Sequence, residues 1–142
     1  MKLYTDLAWL WSEVTPVGTY NDEAQDLWEI VTTALGHPPK NILELGAGGG
    51  YLLHDLQTLY PDVEVTLVDS STDMLAEARH RNPKATIVKG DMRDLDLSQQ
   101  FDVVFLHDAV MYLPDLESVS DALKVLYRHV SKRGIAIIVP DV

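Results

Sequence analysis

There is no cysteine among the 142 residues of this chain. Disulfides, thiolate metal sites and a cysteine nucleophile are thereby excluded. A reducing, cytoplasmic setting is the expected location. Basic residues are scarce too: 11 Lys and Arg stand against 22 Asp and Glu, a formal net charge of −11. That balance repels phosphate backbones, and the few cations are scattered rather than clustered, so no nucleic-acid partner is expected. An acidic surface is mildly favourable to a cationic ligand, although it serves solubility as readily. No run approaches the ~18 consecutive apolar residues of a membrane helix, so no membrane partner is expected either. The opening MKLYTDLAWLW carries Asp6 among its apolar residues and has no small-residue cleavage site. It does not read as a signal peptide. Metal-ligand spacing is also lacking, so no metal site is assigned.

What remains is an ordinary globular composition, with 46% hydrophobic and 23% charged residues. The length suits one domain, residues 1–142, which would bury roughly 68–70% of its unfolded surface. Residues 3–14 read as a short aromatic-rich helix, broken by Pro16 and Gly18. Thr19 and Asp22 form a capping-box signal for a second helix. Ala24, Leu27, Val31, Ala34 and Leu35 fall on one face of that helix. Gly36, Pro38 and Pro39 end it.

From Asn41 the rhythm changes to strands alternating with helices. NILEL is a short apolar run before GAGGG, and Leu52, Leu53, Leu56 and Leu59 then recur at helical spacing. Residues 63–68 alternate as a strand, and Ser70 with Asp73 signals the next helix. Residues 85–89, 101–106 and 135–139 read as further strands. Between the last two, Val119, Ala122, Leu123, Leu126 and Val130 share a helix face, with Gly134 as its stop. Parallel strands need crossovers, so the expected fold is α/β: a Rossmann-like, doubly wound parallel sheet of about five strands in the order 3-2-1-4-5, with two N-terminal helices.

The glycine loop sits between a predicted strand and a predicted helix, the context in which such a motif carries meaning. Gly46, Gly48 and Gly50 allow a sharp turn and close approach of a ligand, and the helix behind them offers free N–H groups. Asp69 lies at the carboxyl end of the next strand, where a carboxylate can accept from both hydroxyls of a ribose. The alternative is a residue that merely precedes a helix cap. A dinucleotide fingerprint requires glycine at position 51, which is Tyr51, and no Gly-Lys-Ser/Thr loop is present. NAD and ATP are both disfavoured.

ELGAGGG, VTLVDSSTDMLAEAR, KGDMRDLDL, FDVVFLHDAVMYL and SKRGIAIIVPD follow one another in register, and from about Ile42 onward the chain resembles the class I S-adenosylmethionine-dependent methyltransferases of small molecules. The resemblance implies S-adenosylmethionine as cofactor and methyl transfer to an N or O atom of a small-molecule acceptor. Gly46, Ala47 and Gly48 would pack against its methionine part, and Gly50 would belong to the same cofactor-binding loop. Glu44 would order the loop or reach the amino group there. Asp69 would hold the ribose, Ser70 and Met74 would border the adenine, Asp91 would accept from the adenine amine, and Met92 would cover it. His107 is the candidate general base, being titratable near neutrality. A cofactor contact is its other reading. Asp108 and Tyr112 are assigned to the acceptor pocket, where Tyr112 either lines the pocket or packs beneath it. Residues 1–36 would form a helical lid over a core of residues 41–142. Tyr4, Trp9 and Trp11 either cover the sheet or belong to that lid, with Tyr4 as a cofactor contact near the sulfonium.

The family's sheet normally has seven strands, and this chain stops at Asp141–Val142, after its fifth. Two expectations follow. Residues 135–139 would be an unpaired apolar edge, which predicts a homodimer by edge pairing or exchange of elements. The short chain would also bind the cofactor while lacking part of its acceptor site, leaving a non-catalytic module as the competing reading.

Overall fold

The computed structural model describes residues 2–140, so Met1 and the terminal Asp141 and Val142 of the expected domain lie outside the described residues. Five parallel strands form one sheet in the order β3-β2-β1-β4-β5, as expected. They are β1 (Asn41–Leu45), β2 (Glu64–Asp69), β3 (Thr86–Lys89), β4 (Phe101–His107) and β5 (Val130–Val139). The helices are α1 (Ala8–Val14), α2 (Asn21–Leu35), α3 (Tyr51–Leu59), α4 (Thr72–Arg81) and α5 (Leu116–His129). Short 3-10 turns cover Lys2–Tyr4 and Ala109–Tyr112. Among the described residues no helix is long and apolar enough to cross a membrane.

The central strands are near-continuous apolar runs because both faces of a parallel sheet are covered. Ile42, Val65, Leu67, Val103 and Phe105 face α2 and α3 on one side. Leu43, Leu45, Val68, Val104 and Leu106 face α5 on the other. Each fully buried Leu or Phe side chain contributes about 1.5–3 kcal/mol relative to exposure. The carboxyl ends of β1, β2 and β4 are thereby fixed side by side, where the strand order reverses.

Three local signals resolve differently from expectation. Thr19 does not cap α2: its hydroxyl donates to the Pro16 carbonyl, and the helix starts at Asn21 with no side-chain cap. The buried Asp55 carboxylate, from α3, holds the approach instead by accepting from the N–H groups of Gly18 and Tyr20. Ser71, not Ser70, caps α4 and accepts from the Met74 N–H at 3.2 Å. Gly134 is no helix stop, because α5 ends at His129 and β5 begins with the next residue. A Cβ at Gly134 would press on the Phe101 and Asp102 carbonyls. The glycine is required where β5 crosses the register irregularity between Phe101 and Val103.

Candidate functional site

The glycine loop joins β1 to α3 with Gly46, Gly48 and Gly50 all at positive φ, between 55 and 66°. At Gly46 the requirement is double. A side chain would be strained at that φ, and its Cβ would collide with Ala109 and Met92. The loop is pinned from β2: Asp69 accepts from the Gly48 N–H with one oxygen and from the Ser71 N–H with the other, each at 2.8 Å. One carboxylate thus aligns the loop with the start of α4.

A cavity of about 460 Å³ opens above the loop. It is lined by Glu44, Gly46, Ala47, Gly48, Asp69, Ser70, Met74, Met92, His107, Asp108 and Tyr112, together with Tyr4 and Trp11. A second hollow of about 200 Å³ continues past Ser70 to Asp91, Met92 and Arg93, sharing Gly46, Asp69 and Tyr112. The residues singled out from sequence are therefore gathered along one elongated depression. Gly50 stands apart: it caps α3 in the left-handed region, with Leu67 and Asn82 where a Cβ would lie.

Glu44 is the electrostatic anomaly of the site. It is 4% exposed, and its Oε2 has no hydrogen-bond partner among the described residues. Burial, then the nearby charges of Asp69 and Asp108, push its carboxyl up to about 8. A buried carboxyl lacking a partner costs free energy unless a donor arrives.

The wall facing the loop comes from the N-terminus. Tyr4 stacks on Trp11 at 5.9 Å between ring centroids, meets Tyr112 edge-on, and shares a hydrogen bond between the two hydroxyls. Burial and that hydrogen bond raise the Tyr4 phenol well above its usual value. Trp9 is 57% exposed and belongs neither to the core nor to the cavity. Polar contacts hold this segment to α4: the Ser71 hydroxyl donates to the Tyr4 carbonyl, Ser12 to Glu77, and Arg81 to the Thr15 and Ser12 carbonyls.

At the end of β4, the His107 ring stacks on Phe105 and points Nε2 toward Asp108 at 3.5 Å and Glu23 at 3.8 Å. Asp108 holds the left-handed conformation, φ 59°, uncommon for a residue with a side chain. Asp91 is paired with its neighbour Arg93. Its oxygens accept from Arg93 Nε and Nη2 at 2.6–3.2 Å, and those bonds hold its carboxyl below the usual range. A ligand amine there would have to displace Arg93.

Tyr20, Glu23, Tyr51 and Asp55 were not assigned to the site from sequence. Tyr20 and Tyr51 line the cavity, Glu23 reaches His107, and Asp55 anchors the turn carrying Tyr20. Only Tyr51, occupying the place of a fingerprint glycine, left a sequence signal.

A family model described as "Methyltransferase domain" matches residues 42–134. A dTDP-3-amino-3,6-dideoxy-alpha-D-glucopyranose N,N-dimethyltransferase of Streptomyces fradiae is 34% identical over 124 residues, 85% of this chain and 47% of its own length. A malonyl-(acyl-carrier protein) O-methyltransferase of Bacillus cytotoxicus is 33% identical over 98 residues, 68% of this chain and 33% of its own. Among solved structures, a SAM-bound amino pentose methyltransferase from Micromonospora echinaspora, involved in calicheamicin biosynthesis, superposes with a TM-score of 0.80 at 30% identity, covering 87% of this chain and 51% of that one. This chain spans about half the length of these relatives or less. The fold, the glycine loop and the match over residues 42–134 place the chain in the methyltransferase domain family.

Proposed function

We propose that this chain binds S-adenosylmethionine along the depression above the glycine loop and directs its methyl group to an N or O atom of a small-molecule acceptor. The observation that carries the reading is Glu44, a buried carboxyl with an unpartnered oxygen on the cavity wall. Such a group suits an ammonium, which the amino-acid end of the ligand would bring. Asp69, Ser70, Met74 and Met92 suit a ribose and an adenine in the adjoining hollow, and Asp91 suits the adenine amine once Arg93 yields. Among the described residues the larger cavity is lined by three carboxylates, Glu44, Asp69 and Asp108, and by no Lys or Arg. That lining, with the aromatic faces of Tyr4 and Trp11, favours a ligand carrying a sulfonium.

S-Adenosylmethionine supplies a methyl carbon bound to a good leaving group, so the protein's work is alignment and exclusion of water. The glycine loop and Asp69 hold the ligand's backbone. Residues 2–15 close one side as a lid. His107 Nε2 stands ready to take a proton from the acceptor. The amino sugar in the name of the Streptomyces fradiae relative supports a small molecule presented at the His107–Tyr112 side. Met111 and Tyr112 are exposed at that rim, 60% and 59%. The rim favours one competing reading, a module that holds the cofactor without transferring the methyl group. We further propose a cytoplasmic location and a homodimer formed by edge pairing of β5, which pairs with β4 alone among the described residues, or by exchange of elements.

The test is calorimetric titration with S-adenosylmethionine, S-adenosylhomocysteine and NAD. Both adenosyl ligands should bind and NAD should not. Absence of binding by either adenosyl ligand defeats the proposal, and methylated product from a panel of amines and hydroxyls separates the enzyme from the module.

A further inference from the structure

Glu23 lies in the first turn of α2, which the sequence gives no reason to connect with β4. The fold brings its Oε2 to 3.8 Å from His107 Nε2, with Asp108 Oδ1 at 3.5 Å from the same nitrogen. The position is built rather than accidental. Asp55 ties down the backbone of Gly18 and Tyr20 just ahead of α2. Asp108 is anchored by its N–H donating to the Val139 carbonyl at 2.8 Å. Stacking on Phe105 fixes the plane of His107. The Glu23 side chain is 58% exposed and stands at the solvent side of His107, which is 16% exposed and lines the cavity. The same cavity contains the buried, unpartnered Glu44 oxygen and no cationic side chain along its wall.

Three acceptor chemistries fit a methyl transfer to N or O, and they differ in charge: an amine, a hydroxyl and a carboxylate. A carboxylate brought to His107 would meet Glu23 and Asp108 at close range and be repelled, whereas an ammonium would be attracted by both. We propose that Glu23, paired with Asp108 across His107, is a specificity residue that selects an amine acceptor and delivers it to the imidazole. This rests on the methyltransferase reading above. The arriving ammonium passes one proton to His107 Nε2, and the two carboxylates stabilise the resulting imidazolium. The freed nitrogen lone pair forms the N–C bond as the C–S bond breaks. Its electrons stay on sulfur, leaving neutral S-adenosylhomocysteine and a methylated ammonium.

The experiment uses the full chain saturated with S-adenosylhomocysteine, with glucosamine, glucose and glucuronate as probes of one ring carrying positive, zero and negative charge. Amide NMR shifts at His107 and Asp108 report binding, and calorimetry on the same samples reports the adenosyl ligand. Glucosamine should bind most tightly and glucuronate least. Glu23→Gln should weaken glucosamine roughly two- to fivefold, as for a solvent-exposed charge pair. Glu23→Lys should reverse the preference, and both variants should leave the S-adenosylhomocysteine affinity unchanged. Equal binding of the three probes, no glucosamine shifts at His107, or a glucosamine affinity indifferent to Glu23→Gln overturns the proposal while the cofactor reading stands. Failure of S-adenosylhomocysteine itself to bind removes both.

Discussion

At the scale of single residues, Glu44 carries a measurable signature. Its carboxyl ionises near 4.5 in the unfolded chain and near 8 in the folded one, because burial and the neighbouring acids disfavour the charge. The folded state therefore holds an extra proton between those values, and stability falls as pH rises from about 4.5 to about 8. A cationic ligand group beside Glu44 reverses the preference and draws the proton off. Binding of S-adenosylhomocysteine at pH 7 should then release about one proton. Titrations in phosphate and in Tris, whose ionisation enthalpies differ, would reveal it. Glu44→Gln should abolish the release and flatten the fall in stability. If the mutant releases the same proton, Glu44 is not the ammonium partner.

At the scale of elements, the central strands and the loop were legible because their signals are local. NILEL followed by GAGGG states strand and turn within ten residues, with α3 starting at the next, and the left-handed glycines sit where the turn demands them. Capping was harder to read. Ser70 and Ser71 are chemically equal, and only the path of β2, with Asp69 accepting from the Ser71 N–H, decides which one starts α4. Gly134 resembled a stop because its requirement comes from β4, 32 residues earlier, through the Phe101 and Asp102 carbonyls. Glu23 and Asp55 were invisible for the same reason, since their partners lie on other elements. Arg93 escaped notice although it is only two residues from Asp91, because motif reading assigns Asp91 to a ligand and not to its neighbour.

The proposed lid offers a prediction at this scale. Residues 2–15 are held to α4 by Ser12–Glu77, by Arg81 to the Thr15 carbonyl, and by Ser71 to the Tyr4 carbonyl. α1 itself buries only Ala8, so these contacts rather than a core keep it closed. Replacing Glu77 and Arg81 by Ala together should lower the local opening free energy of residues 2–15 by about 1–2 kcal/mol. Hydrogen exchange there should quicken roughly five- to thirtyfold, since a factor of ten is about 1.4 kcal/mol, while the β1 and β4 amides stay as protected as before. Equal quickening across the sheet would mean that the contacts support the whole fold and not a separable lid.

The scale of the whole molecule is set by β5. Ten residues long, it pairs with β4 alone among the described residues, and along these its other edge has no strand partner. Lys132 and Arg133 blunt the first half in the way edge strands commonly are. Residues 135–139 carry no charge, and Ile138 is 40% exposed. Two copies meeting across a twofold axis would pair these halves antiparallel and cover both. The net charge of −11 opposes the approach and is screened by salt. Association should therefore strengthen with ionic strength, unlike one held by ion pairs. Light scattering across micromolar concentrations should show a monomer–dimer equilibrium shifted toward dimer at high salt. Ile138→Lys, which puts a charge on the exposed edge strand without touching the buried core, should return the protein to monomer. A mass that stays at one chain through the full range of concentration and salt would rule out edge pairing. A dimer that persists in Ile138→Lys would move the interface elsewhere on the surface.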